Sequence, residues 1–269
     1  MSFSNHAAGI DLGGSLTKIA HGEPLEFALF PSADIAGIVS YLHDHSGTHL
    51  VLTGGGSVTQ RTAFADFHVE TADEFESSIR GTTFLLEQQG GAVFPYAVVS
   101  IGTGTSVSIV DRTGGKRVTG TAVGGGTIVG LGALLTGKTN YAEIIEKATQ
   151  GDRSGVDVLV RDIYGGDLPG LSGDVTASNF GKAVSRQPED LARALLQMVG
   201  EVLAVIASLA ASNIGAREIV YIGSSLRNNP TLVEVLESVT KFMGQRPRFV
   251  RNSEYAGAVG ALLHASRQM

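Results

Sequence analysis

Residues 9–18 carry the strongest chemical signal in the sequence. An apolar lead-in predicts a short buried strand, Gly13 and Gly14 predict a tight turn, and the residues from Ser15 onward predict a return strand. Glycine lets backbone N–H groups approach phosphate oxygens, and the Asp11 carboxylate at the strand end is a suitable ligand for Mg²⁺ or its waters. The same residues also make ordinary hairpins, so this stretch alone leaves a phosphate site and a plain turn as alternatives.

Strands that end in small-residue turns occur at three places, residues 11–15, 102–106 and 223–225. Each turn offers backbone N–H groups and hydroxyls at the end of a strand. A nucleotide held between two lobes needs one such turn from each lobe for its phosphates and a third turn near its nucleoside. A single glycine turn is common in proteins. Three turns with hydroxyls at matched positions favour a nucleotide site, although coincidence remains the alternative.

Two charged side chains outside these turns could take part in catalysis. Glu74 lies in an acidic cluster, residues 73–76, that directly precedes a predicted helix, where carboxylates favour the positive end of the helix dipole. Alternatively, it is a general base directed at a substrate hydroxyl. Arg117 is either a solvated hairpin tip or a guanidinium that reaches a transferring phosphate or a substrate carboxylate. The residues alone leave both pairs of alternatives open.

Two motif matches do not have the structural context that their function requires. Residues 132–139 fit the P-loop expression letter for letter, but a P-loop must follow a buried strand. The residues before this match have a helical pattern, so we interpret Gly137 as the C-terminal stop of a helix. Residues 102–107 resemble a dinucleotide fingerprint, but the third glycine is missing and a strand rather than a helix is predicted to follow.

Composition excludes several classes of protein. The chain has 269 residues, a net charge of −6 and no cysteine. The negative charge argues against a nucleic-acid partner, and the absence of cysteine excludes disulfides and cysteine-based zinc or thiol chemistry. The apolar residues 195–214 include Gln197 and Glu201 and lack flanking aromatic belts, so they predict a buried core helix rather than a membrane span. We therefore expect a cytoplasmic protein with no membrane partner.

Two further expectations concern the start of the chain and the histidines. Residues 1–6 lack the charged region and apolar core of a signal peptide. The seven histidines show no metal-ligand spacing along the sequence. His43, His45 and His49 are predicted to be solvated surface residues at a helix end and in the loop after it.

Hydrophobic periodicity predicts an α/β chain with two related halves. The predicted strands are residues 7–10, 50–52, 97–101, 106–110, 218–222 and 247–250, and the predicted helices are residues 33–45, 57–65, 77–88, 124–135, 141–149, 188–212, 231–242 and 255–265. The two strand–turn–strand units lie roughly ninety residues apart, which indicates a duplicated lobe. We assign residues 1–95 to an N-terminal lobe with the first phosphate turn and residues 96–269 to a C-terminal lobe with the second.

By its motifs the chain resembles the actin-like, sugar-kinase-type phosphotransferase superfamily, and more narrowly the type II pantothenate kinases of bacteria. The motifs that carry this resemblance are residues 9–14, 52–55, 74–76, 102–106, 124–127, 151–153, 173–181 and 221–225. They extend over nearly the whole chain. The resemblance implies a two-lobed actin-like (ribonuclease H-like) ATPase fold, which is an α/β fold with a duplicated mixed β-sheet flanked by helices.

The resemblance also implies roles for individual residues. Glu74 matches the family's catalytic base and Arg117 its active-site arginine, and both are placed at the substrate together with Ser106. Thr176 and Ala177 match a segment that reaches the substrate, from the partner subunit in a homodimer. The implied nucleotide contacts are Asp11, Leu12, Gly13, Gly14, Ser15, Leu16, Thr17, Lys18, Thr103, Gly104, Gly125, Gly126, Thr127, Ile128, Val129, Tyr141 and Ser224.

The implied activity is ATP-dependent phosphorylation of the primary hydroxyl of pantothenate to 4'-phosphopantothenate, the first step of coenzyme A biosynthesis, with Mg²⁺ held by Asp11. A sugar or amino-sugar kinase of the same superfamily is an alternative. Many of those kinases use an aspartate base and several carry zinc ligands, so Glu74 and the absence of cysteine weigh against it. A non-enzymatic ATP-binding switch is a second alternative, but a chain of this length has little room for a partner-binding domain.

Overall fold

The computed structural model of the chain describes residues 7–265, in twelve strands and eight α-helices. The first half contains β1 (Ala7–Leu12), β2 (Leu16–His21), β3 (Glu26–Pro31), α1 (Ile35–His45), β4 (His49–Thr53), β5 (His68–Thr71) and α2 (Glu74–Glu87). The second half contains β6 (Tyr96–Ile101), β7 (Thr105–Asp111), β8 (Gly114–Thr121), α3 (Gly125–Thr136), α4 (Tyr141–Gln150), β9 (Val158–Leu159), α5 (Val160–Tyr164), β10 (Thr176–Ser178), α6 (Pro188–Ser212), β11 (Glu218–Ile222), α7 (Pro230–Phe242), β12 (Arg246–Phe249) and α8 (Ala256–Ala265). The expectation for residues 1–6 lies outside the described residues.

The two large sheets have the same topology, as the predicted duplication requires. The first sheet has the strand order β3-β2-β1-β4-β5, and the second has the order β8-β7-β6-β11-β12. In each sheet the central strand pairs antiparallel with the strand that follows it in the chain and parallel with its other neighbour. The first turn of each half therefore lies at the carboxyl end of a central strand, which is where ligands of α/β sheets bind.

The helices form layers on both faces of each sheet. Helix α1 packs on the outer face of the first sheet, and α3, α4, α6 and α7 pack on the outer face of the second. Helices α2 and α8 lie between the sheets, with α8 packed on the first sheet and α2 on the second. Because α8 is the last helix within residues 7–265, the lobe that contains the first sheet is completed by residues distant in the chain.

Glycines allow α2 and α8 to approach each other until their backbones touch. A Cβ atom on Gly81 would overlap the carbonyl oxygen of Ala256, and one on Gly260 would overlap the carbonyl oxygen of Ser77. In the same way, a Cβ atom on Gly9 in β1 would overlap the carbonyl oxygen of Ala258. A side chain at any of these three glycines would therefore push two elements apart.

Most of the predicted elements are confirmed, with differences that have local causes. Residues 57–65 do not form the predicted α-helix but turns and a short 3₁₀ helix (Arg61–Phe64), because Gly54 (φ 85°) and a hydrogen bond from Gly56 N to Leu12 O (2.8 Å) hold the chain in a turn. Strands β3, β5, β8, β9 and β10 are not among the predicted strands. The residues of β8 are mostly exposed, so the apolar alternation that signals a strand is missing there.

Helix α6 is the core helix that the sequence predicts. It is long and apolar enough to cross a membrane, but 61% of its most apolar window is buried. Leu195, Leu203 and Ala207 are buried in the core of the second lobe. In contrast, Val202, Val205 and Leu209 are exposed on the other side of the helix.

We predict that Gly260→Ala lowers the free energy of unfolding by about 1–3 kcal/mol, because the added methyl group has no space between α8 and α2. The matched control is Gly130→Ala, since Gly130 in α3 has open space around its Cα atom. The control should raise the free energy of unfolding by about 0.4–1 kcal/mol through helix propensity. Urea denaturation of both variants tests the prediction, and equal stability of Gly260→Ala and the wild type would contradict it.

Candidate functional site

Hydrogen bonds from Ser32 fix the first turn, which lies between β1 and β2. Ser32 Oγ donates a hydrogen bond to the carbonyl oxygen of Gly13 (2.8 Å) and lies 3.1 Å from Thr17 Oγ1. Ser32 N also donates to the carbonyl oxygen of Ser15 (3.0 Å). The turn is therefore fixed by a residue that follows β3, and its outer side, at Gly14 and Ser15, is exposed.

Asp11 and Lys18 form an ion pair behind this turn. Lys18 Nζ lies 3.3 Å from Asp11 Oδ2, and both side chains are mostly buried. Two glycines make room for the carboxylate: a Cβ atom on Gly54 would lie 2.5 Å from Asp11 Oδ1, and one on Gly257 would lie 3.0 Å from Asp11 Oδ2. Because Gly257 is in the first turn of α8, the positive end of that helix dipole is next to the carboxylate.

The second turn, between β6 and β7, packs directly against the start of α3. Gly125 N donates a hydrogen bond to Gly102 O (2.8 Å), and Gly126 N donates to Thr103 O (2.9 Å). A Cβ atom on Gly124 would lie 2.8 Å from Thr103 O, so a larger residue there would displace the turn. The backbone at the start of α3 lies so close to the backbone of the second turn that only glycine fits at residues 124–126.

The third turn, after β11, is anchored by the half-buried Tyr141 and the buried Asn229. Gly223 has a φ of 112°, and a Cβ atom there would overlap the carbonyl oxygen of Ile101. Tyr141 Oη donates to the carbonyl oxygen of Ser225 (2.6 Å) and accepts a hydrogen bond from Asn229 Nδ2 (2.8 Å). Burial raises the pKa of Tyr141 to about 12, so its hydroxyl stays protonated and continues to hold the turn.

The three turns lie side by side. A Cβ atom on Gly14 would lie 3.3 Å from Thr103 Oγ1, which places the first turn against the second. Ser225 Oγ donates to Gly102 O (3.1 Å), which joins the third turn to the second. The two sheets thus bring together the three small-residue turns that the sequence predicts, one from the first half of the chain and two from the second.

Glu74 is the first residue of α2. The Asp73 side chain caps this helix by accepting a hydrogen bond from Glu76 N (2.9 Å). Asp73 is therefore the N-cap of α2, and the acidic cluster lies at the positive end of the helix dipole as expected. Glu74 is not used in the cap, and more than a third of its surface is exposed.

The electrostatic environment of Glu74 includes the charged residues of both halves. Partial burial of the Glu74 carboxyl is the main cause that raises its pKa, and the negative charges of Asp11 and Asp73 raise it further. The positive charges of Lys18 and Arg117 act in the opposite direction. A carboxylate with a raised pKa among such charges is typical of a catalytic acid or base.

Arg117 lies within strand β8 and not at the tip of the hairpin, which is at residues 112–113. Its guanidinium lies over the ring of Phe75, 5.0 Å from the ring centroid. The backbone of Gly120 leaves room for it, since a Cβ atom there would lie 2.5 Å from an Arg117 Nη atom. Gly120 pairs with Ser106 across the sheet, so Ser106 and Arg117 belong to one region of the second sheet.

Thr176 and Ala177 lie in β10, which pairs with β9 outside the two main sheets. Thr176 Oγ1 donates to Glu201 Oε1 on α6 (2.6 Å) and accepts a hydrogen bond from Arg153 Nη1 (2.9 Å). Asn179 Nδ2 donates to the other Glu201 oxygen (2.9 Å). The Thr176 hydroxyl is therefore bound within its own lobe, while Ala177 is exposed.

The structure distinguishes nucleotide contacts that side chains could make from those that only the backbone could make. The side chains of Leu12, Thr17 and Ile128 are fully buried, so any phosphate contact from these residues would come from the backbone. Sequence reasoning missed Ser32 and Gly257. No local pattern marks either residue, because Ser32 contacts the first turn and Gly257 contacts Asp11 only in the folded chain.

The chain matches a known protein family over most of its length. The family model named Fumble matches residues 14–264. The chain belongs to the Fumble family. It is also 35% identical, over 96% of its length and 98% of the relative's, to a type II pantothenate kinase of Bacillus cereus (strain G9842). A type II pantothenate kinase of Oceanobacillus iheyensis is 36% identical, over 95% of this chain and 98% of the relative.

Solved structures confirm the fold of this Fumble-family chain as that of the actin-like ATPases. The activator of 2-hydroxyisocaproyl-CoA dehydratase from Clostridium difficile, with bound ADPNP, matches with a TM-score of 0.64 and 14% identity, over 98% of this chain and 95% of that one. A ROK family glucokinase from Streptomyces griseus, in complex with glucose and AMPPNP, matches with a TM-score of 0.56 and 12% identity, over 98% of this chain and 99% of that one. At these identities the likeness concerns the fold alone.

We predict that Asp73→Asn lowers the pKa of Glu74, because it removes a negative charge that raises this pKa. Asparagine is also a good N-cap residue, so the start of α2 should be preserved. Asp34→Asn, at the equivalent cap of α1, is the matched control and should leave Glu74 unchanged. A ¹³C NMR titration of the glutamate carboxyl groups measures both, and an unchanged or higher pKa in Asp73→Asn would contradict the electrostatic assignment.

Proposed function

We propose that this chain catalyses the ATP-dependent phosphorylation of the primary hydroxyl of pantothenate, which gives 4'-phosphopantothenate, the first step of coenzyme A biosynthesis. Membership of the Fumble family and the type II pantothenate kinases among its relatives support this reaction. The observation that carries the mechanism is the electrostatic environment of Glu74, which combines Asp11 and Lys18 from one lobe with Arg117 from the other. The reaction would take place in the cytoplasm, where ATP is available.

The three turns are proposed to hold ATP. The backbone N–H groups of the first and second turns, at residues 13–15 and 103–104, would bind the β- and γ-phosphates. The N-terminus of α3 at Gly125 and Gly126 adds the positive end of a helix dipole to the same region. Ser224 in the third turn would contact the nucleoside, and Tyr141 would position that turn through Ser225.

We propose that Asp11 is the protein ligand of Mg²⁺. This ion is usually bound by one or two carboxylates together with water and phosphate oxygens. The single carboxylate of Asp11, at a strand end below the phosphate turn and with 19% of its side chain exposed, fits that donor set. When bound, the ion would neutralise charge on the phosphates of ATP.

In the proposed reaction the hydroxyl oxygen of pantothenate forms a bond to the γ-phosphorus, and the bond from that phosphorus to the β–γ bridging oxygen breaks, so that ADP leaves. Glu74 accepts the hydroxyl proton on a carboxylate oxygen. Arg117 stabilises negative charge on the transferring phosphoryl group or on the substrate carboxylate. Since Glu74 must be ionised to accept a proton, turnover should fall as the pH drops through its raised pKa.

We predict pantothenate-dependent release of ADP when the protein is assayed with MgATP. The matched comparison uses glucose and N-acetylglucosamine as acceptors, which should give no signal above background hydrolysis. A coupled ADP assay measures all three. Turnover with a sugar and none with pantothenate would replace this proposal by a sugar kinase, and tight ATP binding with no acceptor would replace it by an ATP-binding switch.

We predict that Glu74→Gln lowers kcat by about 10²–10⁴-fold, the usual contribution of a general base, with nearly unchanged ATP binding. Glu76→Gln is the matched control, because Glu76 lies in the same helical turn. Its kcat should stay within a few-fold of the wild type. Steady-state kinetics and calorimetric titration with ATP test both variants, and a fully active Glu74→Gln enzyme would refute the assignment of the base.

We also propose that the enzyme is a homodimer. Val202, Val205 and Leu209 are exposed on one face of α6, at spacings of three and four residues, and would be covered by a second copy. In such a dimer, Thr176 and the exposed Ala177 would reach the substrate of the partner subunit. Thr176 is bound to Glu201, which lies four residues before Val205 and thus on the same side of α6, so β10 and this apolar face are adjacent.

We predict that Leu209→Lys dissociates the dimer, because it places a charge in an interface that would otherwise be apolar. Val58→Lys is the control, since Val58 is exposed in a loop of the other lobe. Sedimentation velocity should give a dimer for the wild type and the control and a monomer for Leu209→Lys. A monomeric wild type would reject the dimer while leaving the proposed reaction untouched.

A further inference from the structure

A cluster of metal-binding residue types lies at one corner of the first sheet, outside the site described above. His49 begins β4 and His68 begins β5, and these strands pair in parallel so that the two histidines are neighbours in register. Glu70 lies two residues after His68 and therefore points to the same face of the sheet. The pairing of β4 with β5, and not any spacing along the sequence, brings the three residues together. His49 lies in β4 with only 20% of its side chain exposed, so the prediction that it is a solvated loop residue is wrong.

The side chains converge on a common point. The His49 and His68 rings are stacked, with their centroids 4.9 Å apart. His49 Nε2 lies 3.2 Å from Glu70 Oε1, and one candidate ligand atom from each of the three residues lies within 4.8 Å of the other two. Tetrahedral zinc, with ligand bonds of 2.0–2.2 Å, separates its ligand atoms by about 3.3 Å. Small side-chain rotations would bring the three atoms to that separation.

The geometry at His49 is that of an unused ligand rather than of a hydrogen bond. Its Nε2 atom is buried, yet within residues 7–265 it has no hydrogen-bond partner, although the Glu70 oxygen is only 3.2 Å away. The distance is short enough for a hydrogen bond, but the direction is not. A buried nitrogen that has only this poorly directed contact is costly, and a cation between the nitrogen and the carboxylate would satisfy both.

We propose that His49, His68 and Glu70 form a binding site for a transition-metal dication, with Zn²⁺ as the best match. Two imidazole nitrogens and one carboxylate oxygen form a ligand set that suits zinc and other borderline metals better than Mg²⁺ or Ca²⁺. Three protein ligands leave a fourth position for water. The bound ion would link edge strand β5 to β4 and so stabilise the edge of the first lobe.

This site is separate from the proposed Mg²⁺ site. Asp11 pairs with Thr53, at the opposite end of β4 from His49. Four residues of β-strand span about 13 Å, so one ion cannot contact both. The proposal therefore does not depend on the proposed kinase activity.

The test is a calorimetric titration of the full-length, untagged and chelator-treated protein with ZnCl₂, in the absence of nucleotide. We expect one equivalent to bind, and His68→Ala to lower the affinity at least tenfold. Glu70→Gln, which keeps the side-chain volume, should lower it as well. His43→Ala removes an exposed histidine of the same lobe and should bind as the wild type does.

Two further measurements distinguish the outcomes. Zn²⁺ should raise the melting temperature of the wild type and of Asp11→Asn, but not that of His68→Ala. With Co²⁺ in place of Zn²⁺, intense visible absorption is expected for four-coordinate geometry. No binding by the wild type, unchanged affinity in both His68→Ala and Glu70→Gln, or loss of binding in Asp11→Asn would each overturn the proposal.

Discussion

The contact between α2 and α8 is the constraint on which the site depends. The backbones of these helices touch through Gly81 and Gly260, so the distance between the helices is set by main-chain atoms and not by adjustable side chains. Helix α2 begins with Glu74, and α8 begins beside Asp11. One interhelical contact therefore fixes where the proposed base stands relative to the proposed metal ligand. Since α2 also packs on the second sheet, the same contact sets the relation of Glu74 to Arg117.

The chemistry of the site follows from placing opposite charges around one partly exposed carboxylate. Asp11 and Asp73 disfavour the ionised form of Glu74, and Lys18 and Arg117 favour it. Balance of this kind lets a carboxylate accept a proton without being bound permanently to a cation. The nearby glycine turns add N–H dipoles without adding side chains, which leaves space for a phosphate chain. In the proposed reaction, the groups that bind the phosphates are therefore different from the group that accepts the proton.

Sequence patterns predicted the helices and strands that have a strong local signal. They missed features that depend on which strands pair with each other. Residues 188–212 and 218–222 were predicted with their observed limits, because a long apolar helix with an N-terminal proline and a continuous apolar strand each have a strong local signal. Strand β8 has exposed residues and so no such signal. Glu74 and Arg117 were candidates from the residues alone, but only the family resemblance assigned their roles. The cluster of His49 and His68 depends on the register of β4 with β5.

The return of α8 to the first lobe links the two ends of the chain mechanically. Nearly every residue of α8 is buried, against β1, β2 and β4 on one side and α2 on another. Cleavage of the connection near residue 90 would therefore leave two fragments that stay associated through this helix. A fragment that begins at residue 96 would instead expose the apolar surface of α8 and aggregate, while residues 1–95 alone would lack one wall of their core. A division of the chain at residue 95 therefore separates α8 from the sheet on which it packs.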